Sequence, residues 1–544
     1  MLVPCRNIRF VWFLAFICLA GSLYAQEQRD TVAVERRTRV DLLHADRGYA
    51  NQDLLPDVQV LVGHVQLRHD SMYMYCDSAH LYEKTNSFEA FDNVRMEQGD
   101  TLFVYADYLY YDGVSRIAML RRNVRMINRN TTLTTDSLNY DRVTDLGYYF
   151  AGGQLADEEN TLTSEWGQYS PATKVASFNH QVHLDNARFT MDSDTLRYST
   201  ETKISVILGP SHIHSDSTYI YSERGIYNTI TEQSELLDRS VVRNGSSTLV
   251  GDSVFYDRLT GYGEAFNDVV MNDTVNRSML TGDYCFYNQQ TGSALATNRA
   301  VAIDYSQGDS LFTHADTLRL ITYHINTDSM WREMRAYNKV RTYRTDIQAV
   351  CDSLVFTSRD SCLSMYKDPI LWNGAQQLLG EEIKIYMNDS TIEWAHIINQ
   401  ALVVEQKDSA AFNQVSGKEI KTYFRNGEAY KAEVIGNVLV AYYIEEKANE
   451  PMMFVRMESS MMDLFIDNRQ WQRVVFFVSP TGTGYPMTQI PADQLRLANF
   501  SWFDSIRPRS KEDIFEWRSK GAGEELKKTT RRAITPSRDM INAN

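Results

Sequence analysis

An all-β fold, drawn out into an elongated array of stacked two-strand units, is what this sequence predicts. Three observations carry it. Tyr111, Tyr140, Tyr169, Tyr198, Tyr227 and Tyr256 recur at an unbroken spacing of 29 residues. Each closes the same phrase, cleanest in Ala106-Asp107-Tyr108-Leu109-Tyr110-Tyr111 and Thr135-Asp136-Ser137-Leu138-Asn139-Tyr140. A fixed period of this length marks one supersecondary unit stacked on copies of itself. The composition is that of an ordered β protein, with 32 Tyr and 23 Phe against 11 Pro in 544 residues.

The acidic residue of the phrase extends the array. Anchors fall at Asp46, Asp77, Asp107, Asp136, Glu165, Asp194, Glu223, Asp252, Asp283, Asp316, Asp352 and Glu381, with a degenerate copy at Lys418. From Asp107 to Asp252 every step is 29 residues; later steps of 31, 33 and 36 read as loop insertions on a constant frame. A second phrase, Asn or Gly ahead of an aliphatic residue, falls between the anchors at Asn93-Val94, Asn123-Val124, Asn338-Lys339-Val340 and Gly436-Asn437-Val438. Each unit therefore holds two β segments, joined by turns such as Asp112-Gly113.

Side-chain parity adds a corner. Leu133 and Thr135 share one strand face, whereas Leu138 and Tyr140 fall on the opposite parity, and Leu249, Gly251, Val254 and Tyr256 repeat the slip. Strands alternate faces with period two, so a continuous apolar face across the slip needs an extra residue. We expect a bulge at each acid and its follower. Asp77, Asp107, Asp136, Glu165, Asp194, Glu223, Asp252 and Asp283 would then be structural corner residues, accepting backbone N–H bonds. One unit cannot stand alone. Ordering each residue costs roughly 1.5 kcal/mol, and burying a Leu, Tyr or Val returns only about 1.5–3 kcal/mol. About twelve layers at roughly 4.8 Å make a body some 50–60 Å long, if each unit adds one layer. The period leaves open whether the strands run parallel, as in a β-helix, or antiparallel.

The charge and the motifs exclude several classes. With 70 acidic and 55 basic side chains, a net charge of -15, nucleic acid is not the expected partner. There is no Gly-x-Ser-x-Gly elbow, no His-Glu-x-x-His and no phosphate-binding Gly-rich loop with Lys. His212 and His214 share a strand face, but two histidines make a weak metal site; no metal or cofactor is expected. Acids in almost every unit argue for a repeated corner, since a glycosidase needs one carboxylate pair at one place.

Residues 1–25 read as a secretory signal, with Arg6 and Arg9 ahead of a short apolar stretch over 10–20 and cleavage after Ala25. The rival is an uncleaved anchor. Of the cysteines, Cys76, Cys285, Cys351 and Cys362 remain in the mature chain and match no zinc spacing; buried apolar roles are expected, with a Cys351–Cys362 bridge as an option in an oxidising compartment.

The array is assigned to 26–445, a degenerate β segment and linker to 446–500, and a partly helical basic tail to 501–544. Short helices are expected over 491–500 and near Ile514, the second opened by a Ser510–Asp513 capping box. From Arg518 onward seven Lys or Arg face three acids, as a frayed end or a docking segment.

The phrase Ala-Asp-x-Leu-x-Tyr-Asp, followed about a dozen residues later by Gly/Asn-x-Val, resembles the OstA/LptA family of lipopolysaccharide-transport proteins. The match covers residues 40–440 and is clearest at 106–112, 135–141 and 251–257. The resemblance implies a twisted, V-shaped, mostly antiparallel β jelly roll whose interior holds acyl chains, acting without enzyme chemistry in the periplasm or beside the outer membrane. It implies that Leu109, Tyr111, Leu138, Tyr140, Tyr169, Leu196, Tyr198, Tyr227, Val254, Tyr256 and Tyr287 line an apolar trough for lipopolysaccharide or a related lipid. Exposed terminal strands would pair end to end with other transport proteins. Two other readings stand beside it: an adhesive β scaffold, and a polysaccharide-active β-helix enzyme.

Overall fold

The computed structural model describes residues 39–50, 57–306, 308–388, 391–447, 450–468 and 470–521. The signal stretch and the basic residues beyond 521 lie outside them. Among the described residues every strand pairing is antiparallel, and neighbours in sequence are mostly neighbours in the sheet. Gln59–His69, Met72–Tyr82, Ser87–Gln98, Leu102–Asp112, Ile117–Asn128 and Thr131–Asp141 form one continuous ladder. Short turns join them. Asp112 makes one by accepting the Val114 N–H at 2.9 Å and the Ser115 hydroxyl at 2.7 Å.

Each strand bends at its middle. In Leu102–Asp112 the buried residues are 102, 104 and 106, then 109 and 111, which is the parity slip expected from sequence. The unusual backbone, however, belongs to the other strand. Asp92 and Asn93, Arg122 and Asn123, and Asn338 and Lys339 all take left-handed φ between 50° and 64°, while their acidic neighbours do not. Pairing accordingly skips Arg122 and Asn123. The Asn phrase supplies the corner because Asn tolerates this conformation better than branched residues do.

The acids play a different part from the one expected. Asp77 and Asp107 accept the side-chain amides of Asn93 and Asn123, each at 2.7 Å, rather than backbone N–H groups. Asp252 faces Arg239 at 3.5 Å, Asp194 faces His180 at 4.0 Å, and Glu223 accepts the Tyr221 hydroxyl at 2.7 Å. The backbone N–H groups of Glu165 and Asp283 donate across the corner to the carbonyls of His180 and Asn298, at 3.1 and 2.7 Å. Asp136 stands exposed at its corner.

The corner folds the sheet into two facing wings. The first contains segments such as 102–106 and 124–128; the second contains 109–112 and 117–121. Midway along, Thr131–Asp141 pairs through one half with Leu146–Tyr149 and through the other with Gly153–Ala156, so the wings become separately stranded. Their inner faces meet: a Cβ on Gly147 would lie 3.0 Å from Met126 Cε of the opposite wing. One apolar core runs between them from Leu61 to Leu464. Each unit contributes two rungs, not one, so twelve units extend the ladder to roughly 100–120 Å, twice the sequence-based length.

The ladder continues through Glu428–Lys447 and Glu450–Asp467, with the corner still present between Ile435 and Val438. Beyond Pro486 the chain turns back along the outer face of the first wing. The helices expected over 491–500 and near Ile514 are single turns of 3-10 helix at Ala492–Gln494 and Asp513–Phe515, and an unexpected turn lies at Asp504–Ile506. Ser510 Oγ does accept the Asp513 N–H at 3.2 Å. Cys76, Cys285, Cys351 and Cys362 are buried and free, so Cys351 and Cys362 are not bridged. No helix among the described residues is long and apolar enough to cross a membrane.

Candidate functional site

Tyrosines of the 29-residue series sit at the free tip of the second wing, with their hydroxyls reaching toward the tip of the first. Tyr111 meets His69 Nδ1 at 2.6 Å and accepts from Arg142 at 2.8 Å. Tyr140 donates to Asp145 at 2.8 Å, and Asp145 also accepts from Gln98 at 3.3 Å. Tyr169 accepts from Asn128 at 3.1 Å. Tyr198 donates to Asp157 at 2.6 Å and accepts from Asn160 at 2.8 Å. Tyr227 is the exception, since its buried hydroxyl has no hydrogen-bond partner. These contacts form a row of polar latches that closes the mouth of the V. Burial pushes the Tyr111 phenol up and raises Tyr149 to about 12, so these hydroxyls stay protonated and available as donors.

Behind the latches the core is full. Leu109, Tyr111, Leu138, Tyr140, Leu196, Tyr198 and Tyr227 are completely buried, with Tyr169 and Val254 at 1% exposure. Leu109 and Leu138 occupy the layer beneath the tyrosines, and neither borders open space.

At Tyr256 the arrangement changes. Asn244 spans the mouth to Tyr256 and to Gln289, both at 3.2 Å, and beyond this pair the wings part. A cavity of about 910 Å³ opens between them, bordered by residues from Val242 to Ile392. Its walls are apolar, with Leu249, Met271, Leu280 and Ala302 followed by Leu320, Met334, Ile347, Leu363 and Ile385. Polar side chains, among them Asn276, Asp309, Asn326, Arg332 and Arg344, stand at the rim. Of the eleven residues named from sequence, Tyr256 and Tyr287 border this cavity and the other nine do not. At the far end Tyr442 and Trp471, from opposite wings, stack with ring centroids 4.0 Å apart.

The open stretch coincides with a change at one position of the repeat. Four residues after Asp107 and each later acid the chain places Tyr111, Tyr140, Tyr169, Tyr198, Tyr227, Tyr256 and Tyr287, then Leu320, Phe356 and Ile385; the earlier Asp77 has Leu81 there. After Tyr287 the slot carries no hydroxyl, so it can form no latch, and Leu320, Phe356 and Ile385 all border the cavity. This change was present in the sequence and was the signal that would have located the trough.

The two histidines set aside as metal ligands lie on the outer face, where His212 Nδ1 meets the Tyr219 hydroxyl at 2.9 Å. Among the described residues no group of three or more His, Cys, Asp or Glu is placed to hold a metal ion.

The OstA-like protein family matches residues 37–194, where the phrase and the corners are most regular. No curated protein matches the sequence. Among solved structures the chain is similar to LptH, the LptA homologous periplasmic component of the conserved lipopolysaccharide transport device from Pseudomonas aeruginosa. That likeness has 17% identity and a TM-score of 0.17, over 18% of this chain and 76% of the other, and is too slight to bear on function. It is residues 37–194, whose strand pattern runs on unbroken into the rest of the array, that carry this chain's similarity to the OstA-like protein family.

Proposed function

We propose that this chain is a periplasmic carrier of lipopolysaccharide or a related lipid, holding acyl chains in the trough between Asn244 and Ile392. One observation carries the reading: an array whose repeat tyrosines up to Tyr227 are buried opens, from Val242 to Ile392, a long apolar space with a polar rim. Its volume lies within the roughly 300–1,000 Å³ typical of ligand sites. Acyl chains bring no polar groups to satisfy, so burial alone drives their entry. Headgroups would remain at the rim beside Arg332 and Arg344, clear of the interior. Tyr256 and Tyr287 would contact the lipid; Leu109, Tyr111, Leu138, Tyr140, Tyr169, Leu196, Tyr198, Tyr227 and Val254 would hold the closed length in shape.

The ends support delivery along a chain of partners. Among the described residues Asp41–His44 and Arg47–Ala50 pair on one side only, with Gln59–His69, and their side chains are exposed. Gln470–Phe477 and Thr481–Pro486 likewise pair only with Glu450–Asp467 among the described residues. Such edges suit strand addition by another β protein.

The test is site-specific photocrosslinking in cells. A crosslinker at Leu280 or Met334 should capture labelled lipopolysaccharide, and one at Tyr140, inside the latched length, should not. Equal capture at all three positions, or none, would favour the scaffold reading instead.

A further inference from the structure

Where the trough opens, the outer surface of the first wing changes too. Trp372, Gln377, Gln414 and Phe454 are fully buried there, under a second apolar core that includes Leu497, Phe503 and Ile506 of the returning C-terminal segment. The grip on this strap is unusual in form. Gln377 donates to the Ser501 carbonyl at 2.9 Å and accepts the Phe503 N–H at 2.8 Å. Gln414 repeats the pattern one step along, donating to the Leu495 carbonyl and accepting the Leu497 N–H, both at 2.8 Å. Each carboxamide thus reads the strap backbone at residues i and i+2, as a neighbouring strand would. Further on, the fully buried Arg341 donates to the Ile506 carbonyl at 3.0 Å, and Phe515 packs at a tilt against His314 with centroids 4.9 Å apart.

Two devices therefore divide the length of the molecule. Tyrosine latches tie the wing tips together up to Tyr256, and the strap lies behind the first wing from His314 to Phe454. An unlatched apolar trough tends to collapse, because facing walls regain contact and shed water when they close. Packing a sheet on its outer face as well stiffens it against that bend.

We propose that the strap is a positioning brace, which docks behind the first wing through Gln377 and Gln414 and holds the trough open. The inference rests on the lipid-trough reading for its purpose, and its geometry can be tested separately. In the full chain, Leu497→Asp with Phe503→Asp should release the strap without altering either wing, seen as faster hydrogen exchange over 495–507 with unchanged exchange over 102–141. Gln377→Ala with Gln414→Ala approaches the same state from the wing side. Spin labels at Asp346 and Arg359, on opposite tips, should then report a shorter and broader distance. Binding of a fluorescent C18 fatty acid should weaken at least tenfold. A Ser416→Cys, Asn499→Cys disulfide, replacing the 2.7 Å contact between those side chains, should restore both. A released strap with unchanged label distance overturns the brace. Failure of the unaltered chain to bind the fatty acid counts against the lipid site, while the distance measurement still decides the brace.

Discussion

Tyr198 and Tyr227 occupy the same slot of successive units and are equally buried, yet only Tyr198 has hydrogen-bond partners. Tyr198→Phe should therefore destabilise its region by about 1–3 kcal/mol, because Asp157 and Asn160 lose a buried partner. Tyr227→Phe should cost almost nothing. Urea unfolding followed by hydrogen exchange separates the two, and equal losses would show that ring packing, not the hydroxyl, closes the mouth. Asp157 gives the latch a pH dependence. Burial opposes its charge, but Lys203 at 2.7 Å, the Tyr198 hydroxyl and the N–H groups of Glu159 and Asn160 outweigh that and hold its pKa below 3.8. A folded-state pKa lowered in this way gives stability that is complete above the ordinary value and lost as the pH falls through the folded one. Acid titration should loosen residues 157–203, and Asp157→Asn should remove that part of the response.

At the scale of the element, the corner shows how far a strand pattern can be read. Parity located the bend correctly in 102–112, since burial alternation is imposed by the pleat itself. It assigned the distorted backbone to the wrong strand, because a left-handed residue leaves no mark on which side chains are apolar. Asn123, at φ 50°, is such a residue. Asn123→Val should cost about 1–2 kcal/mol more than Asn123→Gly, since a branched side chain crowds the backbone there and both variants lose the Asp107 bond. Thermal unfolding of the two variants checks this, and matching values would mean that the lost bond matters more than strain. The tail follows a similar logic. Adjacent apolar residues such as Ile370-Leu371-Trp372 mark strands covered on both faces, but what covers the outer one is set by a chain segment more than a hundred residues away.

Taken whole, the molecule is a repeat array, so a change in one unit should be felt mainly by its neighbours. Its departure from uniformity lies between Tyr287 and Leu320, where the latching slot loses its hydroxyl. Leu320→Tyr should put a polar latch back into the open stretch and narrow it, lowering fatty-acid affinity several-fold in a fluorescence titration. Unchanged affinity would mean that the slot does not set the width. The period of 29 residues, the alternation within each phrase and the mid-strand slip are local regularities, and they were enough to determine a stacked, cornered, two-wing β array. Which tyrosines pack and which face open space was decided only in the folded molecule. That outcome depends on the gap between two wings, a distance no single unit encodes, even though the loss of the hydroxyl after Tyr287 marks part of the open stretch.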